Sequence, residues 1–237
     1  MALTIIECPS PNHDLRAEGP IDILVMHYTG MRTAEEALQR LCAPEAKVSS
    51  HYTVDRDGTV YAHVPEERRA RHAGVSYWAG VRDVNSRSIG IEIVNPGHEF
   101  GYIPFAEPQI EAVIELSGEI LARHPHIAPS CVIGHSDVAP NRKQDPGELF
   151  PWARLAASGI GLWPTAQSQT AAPRGADIAE VVAGKLRRYG YGVPPDVEWS
   201  MSDVIAAFQR HFRPSRIDGI ADAECADILD SLLAACA

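Results

Sequence analysis

Five short apolar segments, rich in β-branched residues, constrain the fold of this chain most. Their length and composition are typical of β-strands. The dipeptide Asp57-Gly58 separates the second segment from the third, which predicts an antiparallel hairpin. The five segments lie at 21–28, 50–55, 59–64, 88–94 and 131–135.

Helical patterns alternate with these strands. Apolar residues recur at helical spacing over 33–42 and 108–123, and Pro151 suits the first turn of a further helix. Strands that alternate with helices pack as layers around one core. The sequence therefore predicts an α/β (α+β) fold with a mainly mixed central β-sheet flanked by helices.

The composition changes after Trp163. Residues 164–175 are small, polar and proline-containing, which is typical of a linker. Three further helical patterns follow, and Ser202 or Asp203 could cap the second. We therefore predict a larger N-terminal domain, a linker and a small three-helix domain, with boundaries at 1–163, 164–175 and 176–237.

Charge and hydropathy exclude several classes of partner. The chain has 237 residues and a formal net charge of -10, so binding to nucleic acid through phosphate neutralisation is not expected. No stretch approaches the roughly 18 apolar residues of a membrane span. The five cysteines are scattered, and the first residues lack the features of a secretory signal. These features predict a cytoplasmic location unless the sequence is a trimmed form, and we expect the protein to be a monomer.

Three side chains form a candidate metal site. His27 closes the first apolar run, His135 closes the last, and Asp145 stands before a Pro-Gly pair. Two imidazoles and one carboxylate are a common donor set for catalytic zinc, because three protein ligands leave one position open. Taken singly, each residue has an ordinary interpretation, such as a turn residue for Asp145.

Glu92 and Lys143 are candidates for catalysis beside that metal. Glu92 interrupts an apolar strand, where a lone carboxylate is costly to bury. It could serve as a general base, with Gly90 on the same strand face leaving room for substrate, or it could face solvent from an edge strand. Lys143 precedes Asp145 by two residues, so its ammonium group could stabilise an oxyanion, or it could be a surface lysine.

Six motifs follow one another in order: Ile23–Thr29, Ser49–Tyr52, Arg71–Gly74, Ser88–Asn95, Gly134–Pro140 and Arg142–Gly147. Over about residues 20–163 they resemble the zinc-dependent N-acetylmuramoyl-L-alanine amidases, whose fold is shared with peptidoglycan recognition proteins. The tail resembles the three-helix peptidoglycan-binding-like module of one branch of that family. Members of this branch carry an export signal, so the resemblance implies a periplasmic or outer-membrane lipoprotein as the alternative location if the sequence is a trimmed form.

The resemblance implies a role for each matching residue. It makes His27, His135 and Asp145 the ligands of one Zn²⁺ per chain. Glu92 would activate water, and Lys143 would stabilise the oxyanion. The residues implied near the substrate are Arg142, His72, Arg71 and Asn95, with Arg71 standing where relatives often have Trp.

The resemblance also implies the reaction. A zinc amidase would hydrolyse the amide between (1,6-anhydro-)N-acetylmuramic acid and the L-alanine of a peptidoglycan stem peptide, with muropeptides from cell-wall recycling as its substrates. Two alternatives stay open at this stage. The chain could bind peptidoglycan without catalysis, or it could be a zinc peptidase that cuts within the stem peptide.

Overall fold

The core of the fold is a six-stranded mixed β-sheet. A computed structural model describes residues 3–17, 19–165 and 177–236. Within these residues the strands are β1 (Ile5–Glu7), β2 (His13–Leu15), β3 (Ile23–Tyr28), β4 (Tyr52–Val54), β5 (Val60–Ala62), β6 (Arg68–Ala70), β7 (Ser88–Ile93) and β8 (Val132–Gly134).

The sheet runs in the order β1-β5-β4-β7-β3-β8, and β2 pairs with β6 in a separate ribbon. The contacts of β3 with β7 and β8, and of β4 with β7, are parallel, whereas β4 and β5 form the predicted antiparallel hairpin. Because β7 lies between β4 and β3, the interpretation of its segment as an edge strand is wrong. The mixed α/β architecture is confirmed.

Helices flank the sheet on both sides. The predicted helices lie within two residues of the observed ones, but the cap of the second C-terminal helix is Ser200, which accepts a hydrogen bond from the backbone N–H of Asp203, and not Ser202. None of the described helices is long and apolar enough to cross a membrane. They are α1 (Ala34–Cys42), α2 (Val84–Arg87), α3 (Gly97–Phe100), α4 (Glu107–Arg123), α5 (His135–Val138), α6 (Trp152–Ala157), α7 (Ile178–Tyr189), α8 (Met201–Phe212) and α9 (Ala223–Ala235).

The two faces of the sheet are buried by different helices. Leu24 and Met26 of β3 pack with Ile91 of β7 against α4. Val25, on the opposite face, packs in one cluster with residues of α7, α8 and α9. Successive side chains of a strand alternate between faces, so the face that carries Val25 also carries His27. The C-terminal helices therefore pack on the sheet face that carries His27.

The C-terminal helices share this core with the sheet. Leu186 of α7, Phe208 of α8 and Leu229 of α9 are fully buried in the cluster that contains Val25. The division into domains at 1–163 and 176–237 stays a prediction. Most of the predicted linker, residues 166–175, lies outside the described residues.

Candidate active site at the carboxyl ends of the strands

The candidate metal donors meet where parallel strands end. His27 is the penultimate residue of β3, and His135 directly follows β8, the neighbour of β3. In open α/β sheets, ligands bind outside the carboxyl ends of the strands. Asp145 reaches the same point from a later loop, whose backbone is fixed by a 2.9 Å hydrogen bond from Ser136 N–H to the Asp145 carbonyl.

Three donor atoms form a tight triangle. His27 Nδ1 lies 2.9 Å from His135 Nδ1, and each lies 3.0 Å from Oδ2 of Asp145. All three side chains are buried, with relative exposures of 1%, 2% and 5%. The predicted His27, His135 and Asp145 are therefore brought together by the fold.

Hydrogen bonds on the far side of each imidazole fix its tautomer. His135 Nε2 lies 3.1 Å from the Ala73 carbonyl, so Nε2 carries the proton. Ser88 donates its hydroxyl to Val84 O and accepts from His72 Nε2–H, which leaves His72 Nδ1 to accept from His27 Nε2–H at 3.0 Å. In neutral rings, Nδ1 of His27 and of His135 then carries a lone pair and no proton.

The site suits a cation because its three facing atoms are all acceptors. Burial and the neighbouring His135 lower the pKa of His27 to about 4, which keeps that ring neutral near pH 7. Burial raises the pKa of the Asp145 carboxyl, and protonated His135 and His27 lower it overall to well below its usual range. When both rings are neutral and proton-free at Nδ1, a bound cation would take over this role. Two lone pairs and a carboxylate at this spacing repel one another unless a positive ion lies between them. The donor set therefore fits a divalent metal.

Glu92 lies beside this triangle. It pairs in register with His27 across the β3–β7 contact, so both side chains project from the same sheet face. Its side chain lines a cleft whose wall also includes Tyr28, Arg40, His72, His135, Lys143 and Asp145. Yet Oε2 of Glu92 is buried and has no hydrogen-bond partner among the described residues. Burial and the negative charge of Asp145 raise the pKa of Glu92 well above its usual value, and Lys143 opposes this increase.

Lys143 lines the same cleft as Glu92. Two of the candidate metal donors, His135 and Asp145, line it as well. Within the described parts of the chain, its ammonium group makes no hydrogen bond or ion pair. Its positive charge acts to lower the pKa of both Glu92 and His27. An unpaired ammonium at this position is available to a negatively charged or polarised substrate atom.

A second group of metal-capable side chains lies away from the cleft. The sulfur atoms of Cys8 and Cys42 are 3.4 Å apart, and His63 Nδ1 is 3.7 Å from that of Cys42. His63 Nδ1 donates to the Cys8 carbonyl at 2.7 Å, so its Nε2 accepts from the Thr53 hydroxyl at 2.8 Å. With both ring nitrogens occupied, two thiols remain, which is fewer than the ligands a closed zinc site requires.

Comparison with known proteins identifies the family. The sequence pattern of the family described as N-acetylmuramoyl-L-alanine amidase matches residues 17–148. The chain is also 41% identical to N-acetylmuramoyl-L-alanine amidase AmiD of Escherichia coli, over 90% of this chain and 82% of AmiD. The chain belongs to the N-acetylmuramoyl-L-alanine amidase family. It is thus an amidase, and its resemblance to this family is confirmed.

Further relatives of the amidase agree in sequence and in structure. AmpD of Enterobacter cloacae, a 1,6-anhydro-N-acetylmuramyl-L-alanine amidase, is 34% identical over 63% of this chain and 87% of AmpD. The structure of E. coli AmiD with anhydro-N-acetylmuramic acid-L-Ala-D-γ-Glu-L-Lys has a TM-score of 0.81, covering 92% of this chain and 91% of AmiD. The structure of AmpDH3 from Pseudomonas aeruginosa with anhydromuramic pentapeptide has a TM-score of 0.80 at 34% identity, covering 93% and 95% of the two chains.

Of the four residues predicted near the substrate, two line the cleft and two hold loops together. Arg71 and His72 line the cleft, although Arg71 also forms a two-pronged ion pair with Asp14 at 2.8 and 2.9 Å. Arg142 donates to the carbonyl oxygens of Ala73 and Val75 and thereby holds the loop that anchors His135.

Asn95 is fully buried. Its side-chain amide donates to Ile103 O at 2.7 Å and accepts from Gly97 N–H at 3.1 Å, so it ties the loop after β7 together. A direct contact with substrate would need this loop to open. The predicted substrate contacts of all four residues stay predictions.

The sequence patterns did not identify several residues of the site. Arg40, on α1, lines the cleft and also the adjoining pocket that contains His98 and Arg142. Ser88 and Asn85 hold His72, since Asn85 Oδ1 accepts from the backbone N–H of His72 at 3.1 Å. Ser88 could have been identified from the sequence, because it is a polar residue at the start of an apolar strand.

The interpretation of Gly90 needs correction. The space beside it is filled by the ring of His72, not left open for substrate, because a Cβ on Gly90 would lie 2.6 Å from Cγ and Nδ1 of that ring. We expect Gly90→Ala to destabilise the amidase by about 1–3 kcal/mol, the typical cost of overpacking. Urea denaturation measures this change.

The matched control for that variant is Gly118→Ala. Gly118 lies in α4, and a Cβ there meets nothing within 4 Å. This variant should gain about 0.5–1 kcal/mol, because Gly is less favourable than Ala inside a helix. A Gly90→Ala protein as stable as the wild type would contradict the close packing of His72.

Proposed function

We propose that the amidase holds one Zn²⁺ between His27 Nδ1, His135 Nδ1 and Asp145 Oδ2 and hydrolyses the amide between N-acetylmuramic acid and the L-alanine of the stem peptide. The observation that carries this proposal is the triangle of proton-free donor atoms, all within 3.0 Å of one another. Two imidazoles and a carboxylate are a catalytic zinc set with one position left for water or substrate.

Glu92 would act as the general base and acid. Zinc supplies Lewis acidity at the site, which polarises a carbonyl and acidifies water. The Glu92 carboxylate faces the same cleft as the metal donors and has one oxygen without a partner, so it can accept a proton from the attacking water. As the C–N bond breaks, Glu92 returns this proton to the departing nitrogen of L-alanine.

Lys143 would stabilise the negative charge that develops on the carbonyl oxygen. We expect Lys143→Ala to lower kcat by about 10²–10³-fold, the usual effect of removing one oxyanion donor. KM should change much less, because the charge exists only in the transition state. Steady-state kinetics on a muramyl peptide measures both parameters.

The control for Lys143 is Lys185→Ala. Lys185 lies on α7, pairs with Asp230 at 2.7 Å and donates to the Ala226 carbonyl of α9 at 3.2 Å, and it does not line the cleft. Its loss should leave kcat unchanged. If Lys143→Ala turned over at the wild-type rate, the oxyanion role would have to be withdrawn.

The proposed substrates are soluble 1,6-anhydromuramyl peptides released during cell-wall recycling. Support comes from the relatives of known structure, AmiD and AmpDH3, whose complexes hold anhydromuramyl peptides. In this chain, Arg40 on the cleft wall would receive a carboxylate of the stem peptide through its guanidinium group. We further propose that the protein acts as a monomer in the cytoplasm.

Product analysis tests the reaction. The protein is incubated with matched anhydro and ordinary muropeptides, with and without a chelator, and products are identified by mass spectrometry. We expect a free stem peptide that begins with L-alanine, and its loss on chelation. Cleavage within the stem peptide would instead support the peptidase alternative, and unchanged substrate would support binding without catalysis.

A further inference from the structure

Asp137 connects the turn that carries His135 to the C-terminal helices. This carboxylate lies two residues after His135 and is almost fully buried. Its Oδ2 accepts from the backbone N–H of Gly134 at 2.7 Å and from His211 Nδ1 at 2.7 Å, while its Oδ1 accepts from the Tyr191 hydroxyl at 2.6 Å. Gly134 directly precedes His135, so these bonds hold the backbone next to a proposed metal ligand.

The two side-chain donors come from the C-terminal part of the chain. Tyr191 follows α7 and is 1% exposed, with its ring packed edge-on against Trp78 at 4.9 Å between centroids. His211 belongs to α8 and stacks on Trp152 and on Phe212, each at 3.8 Å. Close-packed aromatic rings have little freedom to move, so both donors present fixed positions to Asp137.

The energetics make this contact sensitive to each donor. A buried carboxylate is stable only when its oxygens are hydrogen-bonded or paired. Removing the Tyr191 hydroxyl leaves Oδ1 without its donor, at a cost of about 1–3 kcal/mol, whereas removing His211 leaves Oδ2 with the Gly134 N–H alone. The turn around Asp137 can relieve that cost by shifting, and such a shift would carry His135 with it.

We propose that Tyr191 and His211 are positioning residues of the amidase, which act through Asp137 to hold His135 in place for the metal. The inference rests on the proposed zinc site. It gives the C-terminal helices a part in catalysis that does not depend on whether they bind glycan. Support residues around a metal ligand typically change metal affinity or activity by about 10–100-fold.

The experiment uses Tyr191→Phe in the full chain. This variant removes one hydroxyl and keeps the buried ring. We expect zinc affinity, measured by competition with a chromophoric chelator, to fall by about 10–100-fold, and kcat at saturating zinc to fall with little change in KM. The absorption spectrum of the Co²⁺-loaded protein should also shift, which a general loss of stability would not produce.

Tyr189→Phe is the matched control. Tyr189 is another buried tyrosine of the same cluster, two residues away, and among the described residues its hydroxyl makes no hydrogen bond to Asp137. It should keep the wild-type zinc affinity and cobalt spectrum. A second pair addresses His211: His211→Asn keeps a donor near the position of Nδ1 and should stay within a few-fold of wild type, whereas His211→Leu should lose affinity.

The outcomes separate this inference from the proposed function. Wild-type zinc affinity, cobalt spectrum and kcat in Tyr191→Phe, from a wild-type chain that does bind zinc, would overturn the positioning role and leave the zinc site intact. A wild-type chain that binds no zinc would overturn both. Equal losses in Tyr191→Phe and Tyr189→Phe would also overturn the positioning role, because they would reflect core packing alone.

Discussion

Asp145→Ala is expected to lose tight metal binding and almost all amide hydrolysis. Asp145 provides the negative charge of the three-donor set, and its oxygen lies 3.0 Å from both imidazole donors. The variant leaves two neutral rings, which form a much weaker site for a dication. The loss should exceed the roughly 10–100-fold effect typical of residues that only support a ligand. Metal analysis after dialysis and turnover of a muramyl peptide measure the two effects.

The control for this variant is Asp196→Ala. Asp196 is a surface carboxylate paired with Arg187 at 3.3 Å, far along the chain from the donors. It should keep both zinc and activity. An Asp145→Ala protein that retained one tightly held zinc per chain would remove Asp145 from the ligand set.

Glu92→Gln is expected to keep its metal but lose turnover by about 10²–10⁴-fold, the usual contribution of a general acid-base residue. Gln has nearly the same shape but cannot accept and return the proton. Because Glu92 is not one of the three facing donors, metal content should match the wild type. Single-turnover kinetics together with metal analysis separate the chemical step from metal loss.

Glu111→Gln is the matched control for Glu92. Glu111 is exposed on α4, on the other side of the sheet from His27, and the same change there should leave kcat unaltered. Wild-type turnover in Glu92→Gln would show that another group moves the proton. Loss of zinc in Glu92→Gln would instead show that Glu92 holds the metal.

The central strands could be predicted because local sequence determines them. The segment that contains His27 is a continuous apolar run, and such runs form buried parallel strands. Alternation along β7 correctly separated Glu92 from its apolar neighbours. The convergence of His27, His135 and Asp145 required the family motifs, since no local pattern brings together residues more than 100 positions apart.

What could not be predicted depends on contacts between distant segments. β1, β2 and β6 have only three residues each and include polar or exposed side chains, so they become strands only through pairing. The space beside Gly90 appeared open because the approach of His72 is invisible in the strand itself. The hydrogen bonds of Asp137 to Tyr191 and His211 likewise cross 54 and 74 residues.

Anomalous diffraction at the zinc edge tests the central claim most directly. Crystals of the zinc-loaded protein should show one peak about 2.0–2.2 Å from His27 Nδ1, His135 Nδ1 and Asp145 Oδ2, with Glu92 and Lys143 facing it across the cleft. Absence of density between these three atoms, or a single peak at Cys8, Cys42 and His63 instead, would contradict the account.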